Sequence, residues 1–166
     1  MPFWLYIHPL NHKSMPKSSS GIILYHREDS IYKILLGHMG GPFWSKKDYH
    51  AWSIPKGEFD LEHEKPIDAA KREFKEETGI EITESLIPLT PYSKNNKRLY
   101  FFLCEKYINP DSLKSNSFEL EWPPKSGKMS FFPELDRFGW FTLDEAKIKM
   151  VKGQLPALEE VASLVN

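Results

Sequence analysis

The stretch from Pro66 to Gly79, PIDAAKREFKEETG, constrains the fold of this chain more than any other. Proline fixes φ and lacks an N–H that the first helical residue leaves unused, and glycine accepts the left-handed turn that ends a helix. Together they predict a helix between them. Lys65 is a poor N-cap, so the start is less sharply defined than the stop. At about 100° per residue, Ile67, Ala70 and Phe74 form one apolar stripe that needs an apolar surface to lie on. Glu73, Glu76 and Glu77 fill an adjoining arc of roughly 100°, with the small Ala69 inside it, while Asp68, Lys71, Arg72 and Lys75 point elsewhere. Like charges three and four apart on a helix cost roughly 0.2–0.5 kcal/mol per pair. The crowding is either a solvated acidic face tied to Lys71 and Lys75, or a set of oxygen ligands for a hard divalent cation.

Strand-like segments on both sides supply the surface for the stripe. SGIILYHRE and IYKILLGHM are rich in β-branched and aromatic residues, and EDS between them reads as a hairpin turn. Residues 40–50, GGPFWSKKDYH, read as a loop, AWSI as a short strand and PKGEFDLEHEK as irregular. IEI and LIPL are short strand candidates, and KRLYFFLCEKY is the strongest strand, expected near the centre of a sheet. SFELEW alternates, with Phe118, Leu120 and Trp122 on one face and Glu119 and Glu121 on the other. PPKSGKMS breaks that pattern, and RFGWF is a last short strand. Thr142 and Glu145 make a capping box for a helix over roughly 143–151, Gly153 ends it, and Pro156 opens another. Helices interspersed irregularly among strands imply a mixed α/β sandwich, not a regular βαβ alternation.

A chain of 166 residues with 40% hydrophobic and 27% charged residues suits one domain with its own core. A formal net charge of −1 gives no global attraction to nucleic acid or to an anionic membrane, and no apolar run approaches membrane-span length. Cys104 is the lone cysteine, which excludes an intrachain disulfide, argues against a thiolate zinc site and fits a reducing, cytoplasmic location. The apolar run Phe3 to Ile7 is cut by His8 and Pro9 and is too short for a signal-peptide core. Residues 1–14 are expected to be an N-terminal extension, and residues 15–166 a single domain beginning at Met15.

Gly57 to Ile80, GEFDLEHEKPIDAAKREFKEETGI, resembles the signature of the Nudix hydrolases. That signature runs glycine, five residues, glutamate, seven residues, then Arg-Glu-apolar-any-Glu-Glu-any-Gly-apolar. Here six residues separate Gly57 from Glu64, one more than the pattern, and everything from Glu64 onward keeps its spacing. An extra residue in a loop is expected to bulge without moving the helix. SSGIILYHR, HMGGPFWSKKD, AWSIPKGE and FPELDRFGWFTLDEA are similar to segments of a subgroup of NTP pyrophosphohydrolases within that family. The resemblance implies a Nudix-type α/β/α sandwich with a mixed β-sheet. It also implies Mg²⁺ (with Mn²⁺ as the alternative) held by Glu73, Glu76, Glu77 and the carbonyl of Gly57, with Glu64 and Arg72 paired to brace the loop. Such ions neutralise charge building on phosphate oxygens and make water more acidic.

A general base must reach the attacking water. By the resemblance it is a helix glutamate such as Glu73, or an acid from a later loop, for which Glu121 is the candidate; Glu119 reads as a solvated strand position. Trp44 in its glycine-bearing loop is a candidate to stack on a base, as is Phe43, whereas Trp52 shares a strand with Ile54 and reads as core. Lys47, Lys56 and Lys125 are candidate phosphate contacts, His38 reads as a structural histidine and Cys104 as core. GGPFW lacks the Gly-Lys-Ser/Thr ending of a phosphate-cradling P-loop. The expected activity is Mg²⁺-dependent hydrolysis of a phosphoanhydride in a small nucleoside di- or polyphosphate derivative. The alternatives are an RNA 5′-end pyrophosphohydrolase, weakened by the lack of a basic stripe, and a non-catalytic nucleotide-binding module. The sequence fixes no oligomeric state.

Overall fold

The computed structural model describes residues 17–166; the expected extension, residues 1–14, and its apolar run lie outside them. In chain order the strands are β1 (Lys17–Glu28), β2 (Ile31–Met39), β3 (Trp52–Ser53), β4 (Lys56–Phe59), β5 (Ile87–Pro88), β6 (Tyr92–Lys94), β7 (Lys97–Glu105), β8 (Ser117–Glu121), β9 (Met129–Pro133) and β10 (Leu135–Thr142). The helices are α1 (Pro66–Thr78), α2 (Leu143–Lys149) and α3 (Leu155–Val165). The main sheet runs β10-β2-β1-β7-β5, with β3 on β2, β4 on β1 and β6 on β7, and β8-β9 form a separate two-stranded sheet. Among the described residues β1 and β7 form the one parallel ladder and the other ladders are antiparallel, so the sheet is mixed. Asp29 and Ser30, both at positive φ, close the β1-β2 hairpin where EDS predicts a turn.

Successive side chains of β1 point to opposite faces, and both faces are covered, which is why GIILY is a continuous apolar run. Ile22 and Leu24 pack with Ala70 and Phe74 of α1 on one side. Ile23 packs with Ala146, Leu158 and Val161 of α2 and α3 on the other. This is the expected α/β/α sandwich. Phe74 is fully buried at the centre of the predicted stripe, where truncation to alanine costs about 3–5 kcal/mol. Gly79 takes φ 79° and its N–H donates to Lys75 O, while Lys65 offers no side-chain cap.

Four sequence expectations are corrected. PKGEF is not irregular: Lys56–Phe59 pairs with Gly21–Ser18 of β1, a long-range ladder that no local pattern announces. IEI forms no strand, and Ile82 is buried as a loop residue beside α1. MSFFP forms β9 by pairing with β8. Helix α2 stops at Lys149, because Met150 turns extended to bridge Trp52, and Val151 N–H donates to Trp52 O at 2.8 Å.

Candidate active site

The carboxylate arc of α1 lies over β4. A Cβ on Gly57 would stand 1.9 Å from Glu73 Oε2 and 2.1 Å from its Cδ, so only glycine lets the Glu73 carboxylate rest on this backbone. Glu77 Oε2 accepts the backbone N–H of Lys56 at 3.0 Å. Strand β4 thus orients two of the three glutamates. Arg72 holds Glu64 with two bonds, Nε to Oε2 at 2.9 Å and Nη2 to Oε1 at 2.8 Å. Its Nη1 reaches Glu73 Oε1 at 2.8 Å and Glu76 Oε1 at 3.2 Å. The planar guanidinium therefore braces the loop against the helix and lies among the acids, a geometry no lysine could copy.

The extra loop residue is absorbed at the turn 60–63, where Asp60 O accepts from both His63 N and Glu64 N. Glu64 still meets Arg72 and Gly57 still meets Glu73, so both registers hold. In the same turn Asp60, Glu62 and His63 bring three ligand atoms within 4.8 Å of one another. All three are exposed, and Asp60 spends its carboxylate on Glu62 N and His63 Nδ1, so this trio closes a turn. The α1 glutamates are the better cation set: Glu73 and Glu77 are backed by β4 and set into the protein, with Glu76 exposed beside them.

Burial dominates the electrostatics. It pushes the Glu77 carboxyl up to about 8, with Glu73 and Glu134 adding to the rise and the Lys56 N–H and ammonium opposing it. Burial also raises Glu73, against the pull of Arg72. Burial lowers Lys56, joined by Lys97 and opposed by Glu77, Glu58 and Glu73. Carboxylates this costly to ionise fit a divalent cation as their counter-charge. The residues that would hold it are Glu73, Glu76 and Glu77 with the Gly57 carbonyl.

Of the candidates, the structure gathers Lys56, Gly57, Glu64, Arg72, Glu73, Glu76 and Glu77. Glu121 stands in the separate β8-β9 sheet, exposed, and accepts Gly127 N–H at 3.3 Å. The later acid whose charge reaches Glu77 is Glu134, half-buried between β9 and β10 and raised by burial. A backbone relay places it: Asn116 N donates to Glu76 O, Glu134 N to Asn116 O, and Gly40 N to Glu134 O, each at 2.9 Å. The only sequence signal for Glu134 is an acid between Pro133 and Leu135 at a strand junction. Trp44 packs against the core with Lys47 Nζ 5.1 Å above its ring, and Lys125 sits exposed at positive φ in the 122–128 turn. His38 is fully buried between Asp136 Oδ1 and Lys47 O, a structural role as expected. Trp52 and Cys104 are core. A cleft of about 580 Å³ opens elsewhere, between the start of β1 and the end of β4, and none of the three glutamates lines it. Among the described residues no helix is long and apolar enough to cross a membrane.

The NUDIX domain family model matches residues 15–161. An RNA pyrophosphohydrolase of Bartonella henselae is 55% identical over 38 residues, which are 23% of this chain and span only 21% of that relative's length. An uncharacterized 17.7 kDa protein in the e-segB intergenic region of Enterobacteria phage T4 is 30% identical over 129 residues, 75% of this chain and 81% of that one. Among solved structures, a C. elegans Ap4A hydrolase binary complex superposes with a TM-score of 0.57 at 21% identity, covering 90% of this chain and 97% of that one. The NUDIX domain of Shewanella oneidensis NrtR complexed with ADP ribose gives a TM-score of 0.62 at 13% identity, covering 90% and 88%. At such identities the likeness is one of fold.

Proposed function

We propose that this chain, which belongs to the Nudix family, is a pyrophosphohydrolase that uses Mg²⁺ to cleave a phosphoanhydride in a small nucleoside di- or polyphosphate derivative, such as an NTP or a dinucleoside polyphosphate. The observation that carries this reading is the seat of Glu73 on the bare Cα of Gly57, beside Glu77 held by Lys56 N–H. When bound, a divalent cation supplies charge neutralisation at the phosphate oxygens. The chain's own residues do the rest. Arg72 fixes Glu64 and the loop, Lys56 N–H aims the Glu77 carboxylate, and the half-buried Lys56 ammonium offers a phosphate a cation out of bulk water. Water adds to phosphorus as the bridging P–O bond breaks, giving a nucleotide and a phosphate-containing product, with a carboxylate accepting the water's proton. Glu73 and Glu134 suit that last role by position, and Glu121 is the more distant candidate. We place the enzyme in the cytoplasm and read residues 15–166 as the catalytic domain.

The test is a panel of phosphoanhydrides assayed for phosphate release with and without Mg²⁺. No cleavage of any of them, together with no effect of Glu76→Gln, would sink the reading. The 38-residue match to an RNA pyrophosphohydrolase favours one second substrate, a 5′-triphosphorylated RNA, which belongs in the same panel.

A further inference from the structure

Phe43 and Trp44 are chain neighbours with opposite fates. Trp44 packs on the core, while Phe43 stays 60% exposed. Exposure alone would mean little, since single surface aromatics are common. This one is held rigidly, however, and it has a partner from another element. Trp44 N donates to Gly41 O, Lys47 N to Trp44 O and Ser45 Oγ to Pro42 O, while His38 Nε2 anchors Lys47 O at 2.6 Å. At the loop's base a Cβ on Gly40 would meet Pro133 O at 1.7 Å, so loop and strand junction touch backbone to backbone. Across from Phe43, the half-buried Trp122 at the end of β8 meets its ring at 5.4 Å and 83°, edge to face. Trp122 is fixed in turn by its N–H to Lys128 O at 2.9 Å. The loop is tied to the site by the relay already described, from Gly40 through Glu134 and Asn116 to the backbone of Glu76.

Resting on the nucleotide reading above, we infer that Phe43, steadied by Trp122, is the ledge on which the substrate's nucleobase stacks while the polyphosphate extends toward Glu73, Glu76 and Glu77. Two aromatic rings from separate elements, fixed before any ligand arrives and joined by main chain to the acidic cluster, lower the ordering cost of binding a flat ring. Stacking uses the π-face that every base has, so the ledge selects nucleotides from other phosphoanhydrides without reading one base strictly. It replaces Trp44, the sequence-level candidate, because Trp44 has its ring committed to the core.

The test compares ATP with inorganic tripolyphosphate, which shares the phosphate chain and lacks the nucleoside. Binding is measured calorimetrically in EDTA and turnover in Mg²⁺. Phe43→Ala is expected to weaken ATP binding about 5- to 100-fold and to raise KM for ATP in step. Tripolyphosphate binding, kcat and the melting temperature stay as in the wild type, and Phe43→Tyr restores ATP affinity. Trp122→Ala gives a smaller loss of the same kind. If neither variant changes the ratio of ATP to tripolyphosphate affinity, or if both ligands weaken together, the ledge is wrong. If the ratio responds as expected yet no phosphoanhydride is hydrolysed, the ledge stands and the hydrolytic reading is what fails.

Discussion

Alanine at Gly57 isolates the contact on which the site is built. The backbone there is not left-handed, so alanine brings no conformational strain of its own, and the cost is steric. The new Cβ would lie 1.9 Å from Glu73 Oε2, and ordinary contact begins at 3.4 Å, so the carboxylate must retreat by about 1.5 Å. That retreat breaks the 2.8 Å bond from Arg72 Nη1. Overpacking of this kind costs about 1–3 kcal/mol, or roughly 3–10 °C of melting temperature for a chain of this size. A reacting-site group displaced by more than 1 Å loses about 100-fold in rate. Thermal melts and initial rates over a Mg²⁺ series measure both. Gly153→Ala is the control, because nothing lies within 4 Å of its new Cβ. In a Glu73→Ala background the obstacle is gone, and Gly57→Ala should cost almost no stability there. If it costs as much with Glu73 absent as with it present, the clash is not the cause and the argument fails.

Three further outcomes follow from the same geometry. Arg72 holds the Glu64 carboxyl below its ordinary value of 4.5, so the folded state binds this proton less readily than the unfolded one. The pair's stabilisation is therefore complete above about 4.5 and is lost as pH falls through the lower, folded value. Glu64→Gln should destabilise at pH 7, with the gap to wild type closing on acidification in pH-resolved denaturant titrations. Gln154, buried between α2 and α3, accepts Ile54 N–H at 2.8 Å and donates to Ser53 Oγ at 2.9 Å. Gln154→Leu strands those groups and should lower stability by about 1–3 kcal/mol in chemical unfolding. Glu134→Gln should reduce kcat at least about tenfold if Glu134 supports the proton transfer or the cation, while Glu121→Gln leaves kcat within about twofold; the reverse ranking in steady-state kinetics would restore Glu121.

Local pattern carried a large part of this protein. Pro66 and Gly79 bound α1, the Ile67, Ala70, Phe74 stripe met the sheet, and the Glu73, Glu76, Glu77 arc came out beside the core because helical geometry depends on spacing alone. The pairing of Arg72 with Glu64 was implied by the family resemblance and not by helical spacing, since Glu64 lies in the loop before α1. What only the tertiary structure decided was everything that needs partners far apart in the chain. PKGEF became a strand because Ser18–Gly21 lay open to it. Glu134 was tied to the backbone of Glu76 through Asn116, 18 positions away, and to Gly40, 94 positions away. Of Phe43 and Trp44, chemically interchangeable in sequence, packing turned one ring into the core and left the other facing solvent. A carboxylate's spacing can be read along the chain, but its neighbours, and the energy of burying it, exist only once the sheet has closed.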